Sequence, residues 1–498
     1  MTRYSSFARS ARLAASDDPG ATAVVDGPVQ WAWRELDARA DAAAAGLRRA
    51  SVRPGDRIAL LAVPSAAAIA ALHGIARVGG VVAPLGVGLT ATELGGAAEV
   101  IDPRVVVHDR ALATAAVALG RPTLALDAVV ALEPQAEPDV ADAGADPEGP
   151  AVVVLTSGTT GRPRAVVLSA GALVASAEAW LAALPPATGW LLAVGLGHVA
   201  GLGVAWRAAL SGVPLVVVPR ADPAAILAAL AADPAPSHVS VVPTTLTRLL
   251  DVAADAPPPP TLRAVLLGGG PIPPELIRRA IAAGWPVVPT YGLSEAGSGV
   301  TALPTSEAAM HPGTAGRALL GVELRISQPD VDGVGEILVR TPARFTRYLG
   351  DPAGTAATLT VDGWLRTGDL GRLDGDGRLT VLDRRTDRIV RGGENISPAD
   401  VEAVLLEHPA IAEAAVVARR DATFGHVPVA AIVLRLGAED PRDDALADHC
   451  RERLAGFKVP VAFVRLAALP RTVAGKIRRA ELRARLDPDP HLIEESRA

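Results

Sequence analysis

The chain has 498 residues, of which 50% are apolar and 20% are charged, and its formal net charge at pH 7 is -6. This composition is that of a globular protein with room for about three structural units, and it excludes an intrinsically disordered chain. The acidic balance argues against a general nucleic-acid surface, and the single cysteine, Cys450, excludes an intramolecular disulfide framework and fits a cytoplasmic protein.

Strand-like apolar runs alternate with alanine-rich helical stretches from residue 57 to residue 255. The runs lie at 57–63, 104–109, 214–219 and 238–243, and the helical stretches lie at 65–79, 222–233 and 244–255. Alternation of this kind predicts an α/β fold in which helices cover mostly parallel sheets and ligands bind at the carboxyl ends of the strands.

We expect neither a secretory signal nor a membrane span. The N-terminus carries cations but no apolar stretch of the kind found in a signal peptide. Residues 181–206 contain no Asp, Glu, Lys or Arg and are long enough to span a bilayer, but Pro185, Pro186 and several glycines interrupt them. This segment is therefore predicted to form a buried strand, a turn and a core helix.

Shorter strands and Gly-Asp turns begin after Gly333, with a hairpin predicted around residues 374–377. A compact α+β unit follows. We predict a large N-terminal domain at 1–383 that includes this β-subdomain, a hinge at 384–387, and a small mobile α+β domain at 388–498.

A loop rich in hydroxyls and glycines follows the apolar strand predicted at 152–155. Hydroxyls and unhindered backbone N–H groups can wrap phosphate oxygens, and Arg162 and Arg164 add charge. The Gly-Lys-Ser/Thr of a Walker A loop is absent and the next residues resemble a second strand, so another kind of phosphate loop is predicted. The alternative is a flexible turn. The loop residues are Thr156, Ser157, Gly158, Thr159, Thr160 and Gly161.

Two further strand ends carry groups suited to a nucleotide. The glycines Gly268–Gly270 let flat or anionic parts of a ligand approach bare backbone. Tyr291, Ser294 and Glu295 offer an aromatic ring for a base, a hydroxyl for phosphate and a carboxylate for Mg²⁺. Each stretch alone is also compatible with an ordinary strand-to-helix connection.

Asp369 falls in a turn predicted within residues 362–371, where its carboxylate can accept two ribose hydroxyls; a solvated turn is the alternative. Gly392 and Gly393 let the backbone approach a partner closely.

Lysine occurs only at positions 458 and 476, although lysine and arginine together number 48. The stretch PRTVAGKIRR, residues 470–479, thus keeps an ammonium group in a chain that otherwise uses arginine. Composition alone therefore singles out Lys476 before any motif does.

Taken in order, these stretches resemble the adenylate-forming acyl-CoA synthetase superfamily over nearly the whole chain. The resemblance implies that Lys476 bridges the substrate carboxylate and the α-phosphate of ATP, and that Glu295 binds Mg²⁺ beside Ser294, which replaces a common threonine. It further implies that ATP contacts Thr156–Gly161 and Arg164 through its phosphates, Gly268–Gly270, Tyr291 and Gly292 through its adenine, and Asp369 and Arg384 through its ribose.

Within the superfamily, the stretches HVSVVPTTLTRLL, LRAVLLGGGPIPPEL and FGHVPVA look most like the o-succinylbenzoate–CoA ligases of menaquinone synthesis. The resemblance implies an acid pocket that includes His198, with Ser298 as a polar helper. A second substrate carboxylate would want a cation, and Arg220 and Arg207 are the candidates. Ala200 departs from the substrate-contacting serine of some of these ligases.

The resemblance implies a two-step ligase that uses ATP, Mg²⁺ and coenzyme A. A carboxylic acid forms an acyl-adenylate and pyrophosphate, and coenzyme A then displaces AMP. The C-terminal domain is expected to rotate about 384–387 between the two steps, and no oligomeric state is indicated. The residues implied to contact coenzyme A are Gly392, Gly393, Glu394 and Lys458.

Three alternatives remain open from the sequence. They are a ligase for another fatty or aromatic acid, a free-standing adenylation domain that loads a carrier protein, and a degenerate nucleotide-binding scaffold. The carrier-loading alternative ranks lower because residues 196–204 offer no acid to pair with the α-ammonium group of an amino acid.

Overall fold

A computed structural model describes residues 6–132, 146–156, 163–270, 272–384, 389–470, 477 and 479–487. The chain divides into two compact units. The first is made of Met1–Val87, Ala97–Thr156 and Ala165–Asp383. The second is made of Gly88–Gly96, a short segment ending at Arg164, and the chain from Arg384 onward.

The strands are β1 (Thr22–Asp26), β2 (Val29–Ala32), β3 (Arg57–Leu61), β4 (Val81–Pro84), β5 (Val105–His108), β6 (Thr123–Ala125), β7 (Pro150–Thr156), β8 (Arg164–Ser169), β9 (Trp190–Leu192), β10 (Leu215–Val217), β11 (His238–Val241), β12 (Ala264–Leu267), β13 (Val287–Tyr291), β14 (Thr301–Ala302), β15 (Arg317–Ala318), β16 (Glu323–Ser327), β17 (Gly335–Arg340), β18 (Arg347–Tyr348), β19 (Leu365–Leu373), β20 (Leu379–Arg384), β21 (Ile389–Arg391), β22 (Glu394–Ile396), β23 (Ile411–Asp421), β24 (Gly425–Leu434) and β25 (Phe463–Arg465).

The α-helices are α1 (Phe7–Asp17), α2 (Trp33–Arg49), α3 (Ala66–Arg77), α4 (Ala91–Ile101), α5 (Ala113–Val117), α6 (Leu126–Val129), α7 (Ala170–Ala183), α8 (Val199–Ser211), α9 (Pro223–Leu230), α10 (Pro243–Val252), α11 (Pro274–Ala282), α12 (Thr305–Ala308), α13 (Pro352–Thr358), α14 (Pro398–Leu406), α15 (Asp443–Arg451) and α16 (Arg479–Leu486). No helix within these described residues combines the length and the apolar character needed to cross a membrane.

The helix starts follow from local chemistry. Ser65 and Ser169 accept hydrogen bonds from the first-turn backbone of α3 and α7, and Asp222 does the same for α9. Proline at the first positions of α9, α10 and α11 is already fixed at a helical φ and lacks the N–H that would be left without a partner. These signals explain why each helix begins directly after its strand-to-helix turn.

Two sheets of the first unit are mostly parallel, as predicted. One has the order β15-β14-β13-β12-β11-β9-β10-β1-β2. Its neighbouring strands from β13 to β1 in this order are parallel, and β2 pairs with β1 in the antiparallel direction. The other has the order β18-β8-β7-β4-β3-β5-β6. Most of their strands are buried and rich in Val and Leu, because helices cover both faces of such sheets.

A smaller antiparallel sheet, β16-β17-β19-β20, forms the predicted β-subdomain of the first unit. Its last two strands make the hairpin predicted around residues 374–377, where Asp374 N–H donates to the carbonyl of Arg378 at 3.0 Å. The second unit has the order β22-β21-β24-β23 with β25 parallel to β24, and α14 and α15 pack on an apolar core that includes Ile411, Val416 and Leu446.

Residues 181–206 confirm the prediction of a buried strand, a turn and a core helix. The end of α7, the buried strand β9 and the first part of α8 occupy them. The turn between β9 and α8 contains the glycines Gly195 and Gly197. A Cβ at Gly201 would lie 2.4 Å from the carbonyl oxygen of Gly195, so the turn closes tightly onto the helix.

Candidate active site

Tyr291 and Asp369 meet in the first unit. The Tyr291 hydroxyl donates to Asp369 Oδ2 at 2.7 Å, and both residues are buried. Tyr291 ends β13, at the carboxyl edge of a parallel sheet, where ligands bind in folds of this class. The sequence predicted both residues for the nucleotide but gave no sign that they touch.

The prediction that Asp369 lies in a turn is wrong. It lies inside β19, where the pairing with β17 is irregular: Glu336 pairs with Leu370, but Leu338 pairs with Arg366. β19 therefore has extra residues relative to β17 at this point, and they form a bulge. Gly368 lies in the bulge, with a φ of 71° that suits glycine. A bulge of this kind re-aims a side chain, and here it directs the Asp369 carboxylate to Tyr291.

Glu295 is held by a residue that the sequence analysis missed. The Tyr348 hydroxyl donates to Glu295 Oε1 at 2.8 Å, and the Phe345 N–H donates to the Glu295 carbonyl at 2.7 Å. A compositional signal existed, because the chain has only three tyrosines. Tyr348 and Glu295 are separated by 53 positions, so no local pattern joined them.

The glycines after β12 permit a close approach of two strands. A Cβ at Gly268 would lie 2.3 Å from Thr290 Oγ1, which itself donates to the Leu267 carbonyl at 3.0 Å. Gly269 has a φ of 81°, and Gly270 follows it on the loop before α11. Backbone is therefore exposed beside the end of β13, as expected for a site that takes a flat ligand part.

The loop after Tyr291 is packed too tightly for side chains at its glycines. A Cβ at Gly292 would lie 1.5 Å from the carbonyl oxygen of Ser298. Ser298 has a φ of 102°, which is strained for a residue with a side chain. Ser294 begins the short 3₁₀ turn that also carries Glu295. The close packing fixes Ser294, Glu295 and Ser298 in one small region.

The carboxylates fit a magnesium ion that arrives with ATP. The described residues contain no cluster of three or more His, Cys, Asp or Glu side chains able to hold a metal. Mg²⁺ is usually bound through one or two carboxylates together with substrate phosphates, and Glu295, which accepts a hydrogen bond from Tyr348, offers such a carboxylate.

Several predicted residues are placed only in part. Thr156 ends β7 and Arg164 begins β8, which confirms the predicted strand on each side of the loop. Arg384 is the last residue of β20. The loop residues Ser157, Gly158, Thr159, Thr160 and Gly161, together with Lys476, lie outside the described residues.

The three residues predicted for the acid differ in their exposure. His198 is half-buried at the N-terminus of α8, Ser298 is half-buried, and Arg220 is exposed in the loop after β10. Arg207, the other cation considered from the sequence, is 2% exposed. The two candidate arginines therefore differ in burial: Arg207 is buried and Arg220 is exposed.

Arg207 lies against indole rings rather than carboxylates. Its guanidinium carbon is 4.5 Å from the centre of the Trp190 ring and 5.7 Å from that of Trp180, and one nitrogen donates to Ser240 Oγ at 3.4 Å. Within the described part of the chain no acidic group offsets its burial, which lowers the pKa of Arg207 to about 9. Its Nε and the indole nitrogens of both tryptophans are buried without hydrogen-bond partners there.

The predicted coenzyme A residues lie in the second unit. Gly392 and Gly393 have φ values of 58° and 92° in the turn between β21 and β22, and Glu394 begins β22. Lys458 is buried and forms ion pairs with Glu93 and, at 3.6 Å, with Asp400. Burial raises the pKa of Asp400, against the opposing effect of the Lys458 charge.

A cavity of about 340 Å³ lies next to this segment within the second unit. Two cations line it, Arg391 from β21 and Arg451 from α15, together with the carboxylates of Asp443 and Asp444. Apolar side chains of Val459, Val461 and Phe463 complete it.

Comparison with known proteins extends these observations over the whole chain. The AMP-binding enzyme family matches residues 11–349, and the C-terminal domain of AMP-binding enzymes matches residues 400–476. A 2-succinylbenzoate–CoA ligase from Geobacillus kaustophilus is 37% identical over 477 residues, covering 93% of this chain and 95% of that protein.

Solved structures agree with this match. The o-succinylbenzoate CoA synthetase of Bacillus subtilis, as a double mutant bound with its product analogue OSB-NCoA, has a TM-score of 0.90 at 32% identity and covers 95% of this chain and 98% of its own. The same enzyme in complex with ATP and magnesium ion has a TM-score of 0.73 at 32% identity, covering 95% and 99%.

An amide bond synthetase from Marinactinospora thermotolerans is also similar, with a TM-score of 0.84 at 29% identity over 97% of this chain and 100% of that one. The fold and the enzyme class predicted from the sequence are confirmed by these matches. With its paired tyrosine and carboxylate groups, its tight glycine loops and matches over most of its length, the chain belongs to the AMP-binding enzyme family.

Proposed function

We propose that the protein is an ATP-dependent, AMP-forming acid–CoA ligase that acts on o-succinylbenzoate in the cytoplasm. The observation that carries the proposal is that Tyr291, which donates to Asp369, ends β13 and that Glu295 follows in the short turn directly after it. The similarity to a 2-succinylbenzoate–CoA ligase over 93% of the chain supports the same activity.

In the first step, an oxygen of the substrate carboxylate attacks the α-phosphorus of ATP. The bond from that phosphorus to the bridging oxygen breaks, and pyrophosphate leaves. We assign Thr156–Gly161 and Arg164 to the phosphates, Tyr291 and Gly268–Gly270 to the adenine, and Asp369 and Arg384 to the ribose. Mg²⁺ held by Glu295 would neutralise phosphate charge.

Lys476 has the decisive role in this step in our proposal. The reaction brings two anions together, and an ammonium group between them stabilises the charge that develops in the transition state. In the second step the thiolate of coenzyme A attacks the acyl carbon and AMP leaves. Separate steps of this kind are served by a domain that moves about the predicted hinge at 384–387.

Arg207 supports a substrate with two carboxylates. A buried guanidinium without an acidic partner is costly, and a substrate carboxylate that paired with it would offset this cost. One carboxylate of o-succinylbenzoate is activated, which leaves the other for Arg207. Arg220, which is exposed, is the second candidate.

Coenzyme A carries phosphates that need cations. Lys458 is paired with Glu93 and Asp400. Arg391, which donates to the Phe457 carbonyl at 2.9 Å, and Arg451, which pairs with Asp448 at 2.5 Å, line the cavity beside it. We therefore add these two arginines to Gly392, Gly393, Glu394 and Lys458 as the proposed coenzyme A residues.

A panel of acids tests the function. The purified protein is given ATP, Mg²⁺ and either o-succinylbenzoate, substituted benzoates or medium-chain fatty acids, and pyrophosphate release is measured. We expect o-succinylbenzoate to give the highest kcat/KM and coenzyme A to be a better acceptor than a phosphopantetheinylated carrier protein. If o-succinylbenzoate gives no turnover while another acid does, the proposed substrate is wrong. ATP binding without AMP formation from any acid would reject the proposed activity.

A further inference from the structure

Two of the three tyrosines in this chain donate their hydroxyls to carboxylates of the candidate site. Tyr291 donates to Asp369 Oδ2 at 2.7 Å and Tyr348 donates to Glu295 Oε1 at 2.8 Å. The third, Tyr4, lies outside the described residues. Tyr291 already has a place in the proposed function, whereas Tyr348 has none.

The backbone around Tyr348 is anchored on both sides. Tyr348 pairs with Val166 across β18 and β8, and the Leu349 N–H donates to the Ala165 carbonyl at 2.8 Å. The Tyr348 N–H donates to Thr355 Oγ1 at 3.0 Å. The strand that fixes the tyrosine is thus the one that follows the predicted phosphate loop.

The phenol ring is also fixed. Tyr348 is 4% exposed, and its ring centre lies 4.7 Å from that of the fully buried Phe345. Phe345 in turn donates its N–H to the carbonyl of Glu295 at 2.7 Å. Backbone and side chain of Glu295 are therefore both held by the short segment 345–348.

We propose that Tyr348 is a positioning residue for Glu295, which it orients toward the Mg²⁺ that binds with ATP. The Tyr348 hydroxyl occupies Oε1, which leaves Oε2 for the ion. Mg²⁺ demands near-ideal octahedral geometry, so a carboxylate that is held in one rotamer binds it better than one that must be ordered on binding. The inference rests on the proposed function, because that function makes Glu295 the metal-binding residue.

Equilibrium binding of ATP with and without Mg²⁺ tests the proposal. Tyr348→Phe removes only the hydroxyl, so the ring packing stays. Titration calorimetry in EDTA is expected to show the same ATP affinity for Tyr348→Phe as for the wild type. With Mg²⁺ present, ATP should bind to Tyr348→Phe ~10-fold more weakly than to the wild type, the size typical when a metal ligand loses its hydrogen-bond partner. In pyrophosphate exchange, the Mg²⁺ concentration for half-maximal rate should rise while the rate at saturating Mg²⁺ recovers.

Two control variants separate positioning from structure. Thr355→Val removes the hydrogen bond to the Tyr348 backbone but keeps the phenol, and should leave the Mg²⁺ dependence as in the wild type. Tyr291→Phe removes the other tyrosine–carboxylate bond and should weaken ATP equally with and without Mg²⁺. In a Glu295→Gln background, Tyr348→Phe should have no further effect.

The outcomes are distinguishable. If the wild type binds ATP in a Mg²⁺-dependent way and Tyr348→Phe does so equally well, or loses affinity equally with and without Mg²⁺, only the positioning role is overturned. Additive losses of Glu295→Gln and Tyr348→Phe overturn it as well. If the wild type shows no Mg²⁺-dependent ATP binding, the proposed function falls together with this inference.

Discussion

At the residue scale, Arg207 shows how burial narrows a choice that the sequence left open. Both Arg207 and Arg220 were candidates for the second carboxylate of the substrate. The structure buries Arg207 against Trp190 and Trp180 and exposes Arg220. An exposed arginine keeps its water and gains little from an anion, whereas a buried one has lost its water and gains more.

We expect Arg207→Met to raise KM for o-succinylbenzoate by roughly 10-fold to 100-fold, the value of a charge-assisted hydrogen bond. Methionine keeps much of the side-chain volume, so the packing against the indole rings is largely retained. KM for benzoate, which has a single carboxylate, should change little. Initial rates of pyrophosphate release measure both.

Arg220→Met is the matched control for this prediction. The same assay should show little change in KM for o-succinylbenzoate. If Arg220→Met raises that KM and Arg207→Met does not, the exposed arginine is the cation and the argument from burial is wrong.

At the element scale, three helices of the first unit meet through stacked rings. Phe7 of α1 stacks on His73 of α3 with ring centres 4.1 Å apart and on Trp206 of α8 with centres 3.7 Å apart. His73 Nδ1 is 3.1 Å from the Phe7 carbonyl. Burial, and then the neighbouring Arg77 charge, lower the pKa of His73 to about 3.

This low pKa predicts a stability that falls in mild acid. The unfolded chain takes up a proton on His73 below pH 6.5, but the folded chain does so only near pH 3. The contribution of His73 to the free energy of unfolding is therefore fully present above pH 6.5. It is lost as the pH falls from 6.5 toward 3, by up to ~1.4 kcal/mol per pH unit. His238, whose pKa burial lowers to about 4, acts in the same direction.

Tryptophan fluorescence during urea unfolding at pH 7 and pH 5 measures this effect. All seven tryptophans precede residue 384, so the signal reports the first unit. The urea midpoint should fall at pH 5, and His73→Asn should reduce the difference. His311→Asn, on a different part of the same unit, should leave the difference unchanged; equal flattening by both would refute the assignment to His73.

At the scale of the whole molecule, the chain forms two compact units, and residues proposed for the first reaction step belong to both of them. Tyr291, Glu295, Tyr348 and Asp369 belong to the first unit. Lys476 belongs by its position in the chain to the second unit, as do the proposed coenzyme A residues. Because Lys476 and the coenzyme A residues are proposed for different steps, we predict that the two steps can be separated by mutation.

Lys476→Ala should lower acid-dependent ATP–pyrophosphate exchange by on the order of 100-fold to 1,000-fold, as the loss of a group that stabilises transition-state charge does. Thioester formation from supplied acyl-adenylate and coenzyme A should persist. Lys476→Arg should restore little, because a planar guanidinium does not reproduce a compact ammonium. Arg471→Ala in the same stretch is the control, and equal loss of both steps in Lys476→Ala would contradict the division.

The sequence by itself determined the α/β class, the parallel sheets and the β-subdomain, and its resemblance to a known superfamily indicated the enzyme family. The features of the fold follow from local information, namely the period of the apolar residues and the signals at the helix starts. The wrong prediction of a turn at Asp369 also came from local information, because the neighbouring Gly368 has a positive φ within the strand.

Only the tertiary structure decided which side chains touch. Tyr348 reaches Glu295 across 53 positions and Tyr291 reaches Asp369 across 78, and the burial of Arg207 depends on β9 and β11 as well as its own helix. Such pairs leave no periodic trace in the chain, because they depend on sheet register and on a bulge rather than on neighbouring residues. Tyrosine and lysine are scarce in the composition, but only the fold shows the partners of Tyr291, Tyr348 and Lys458.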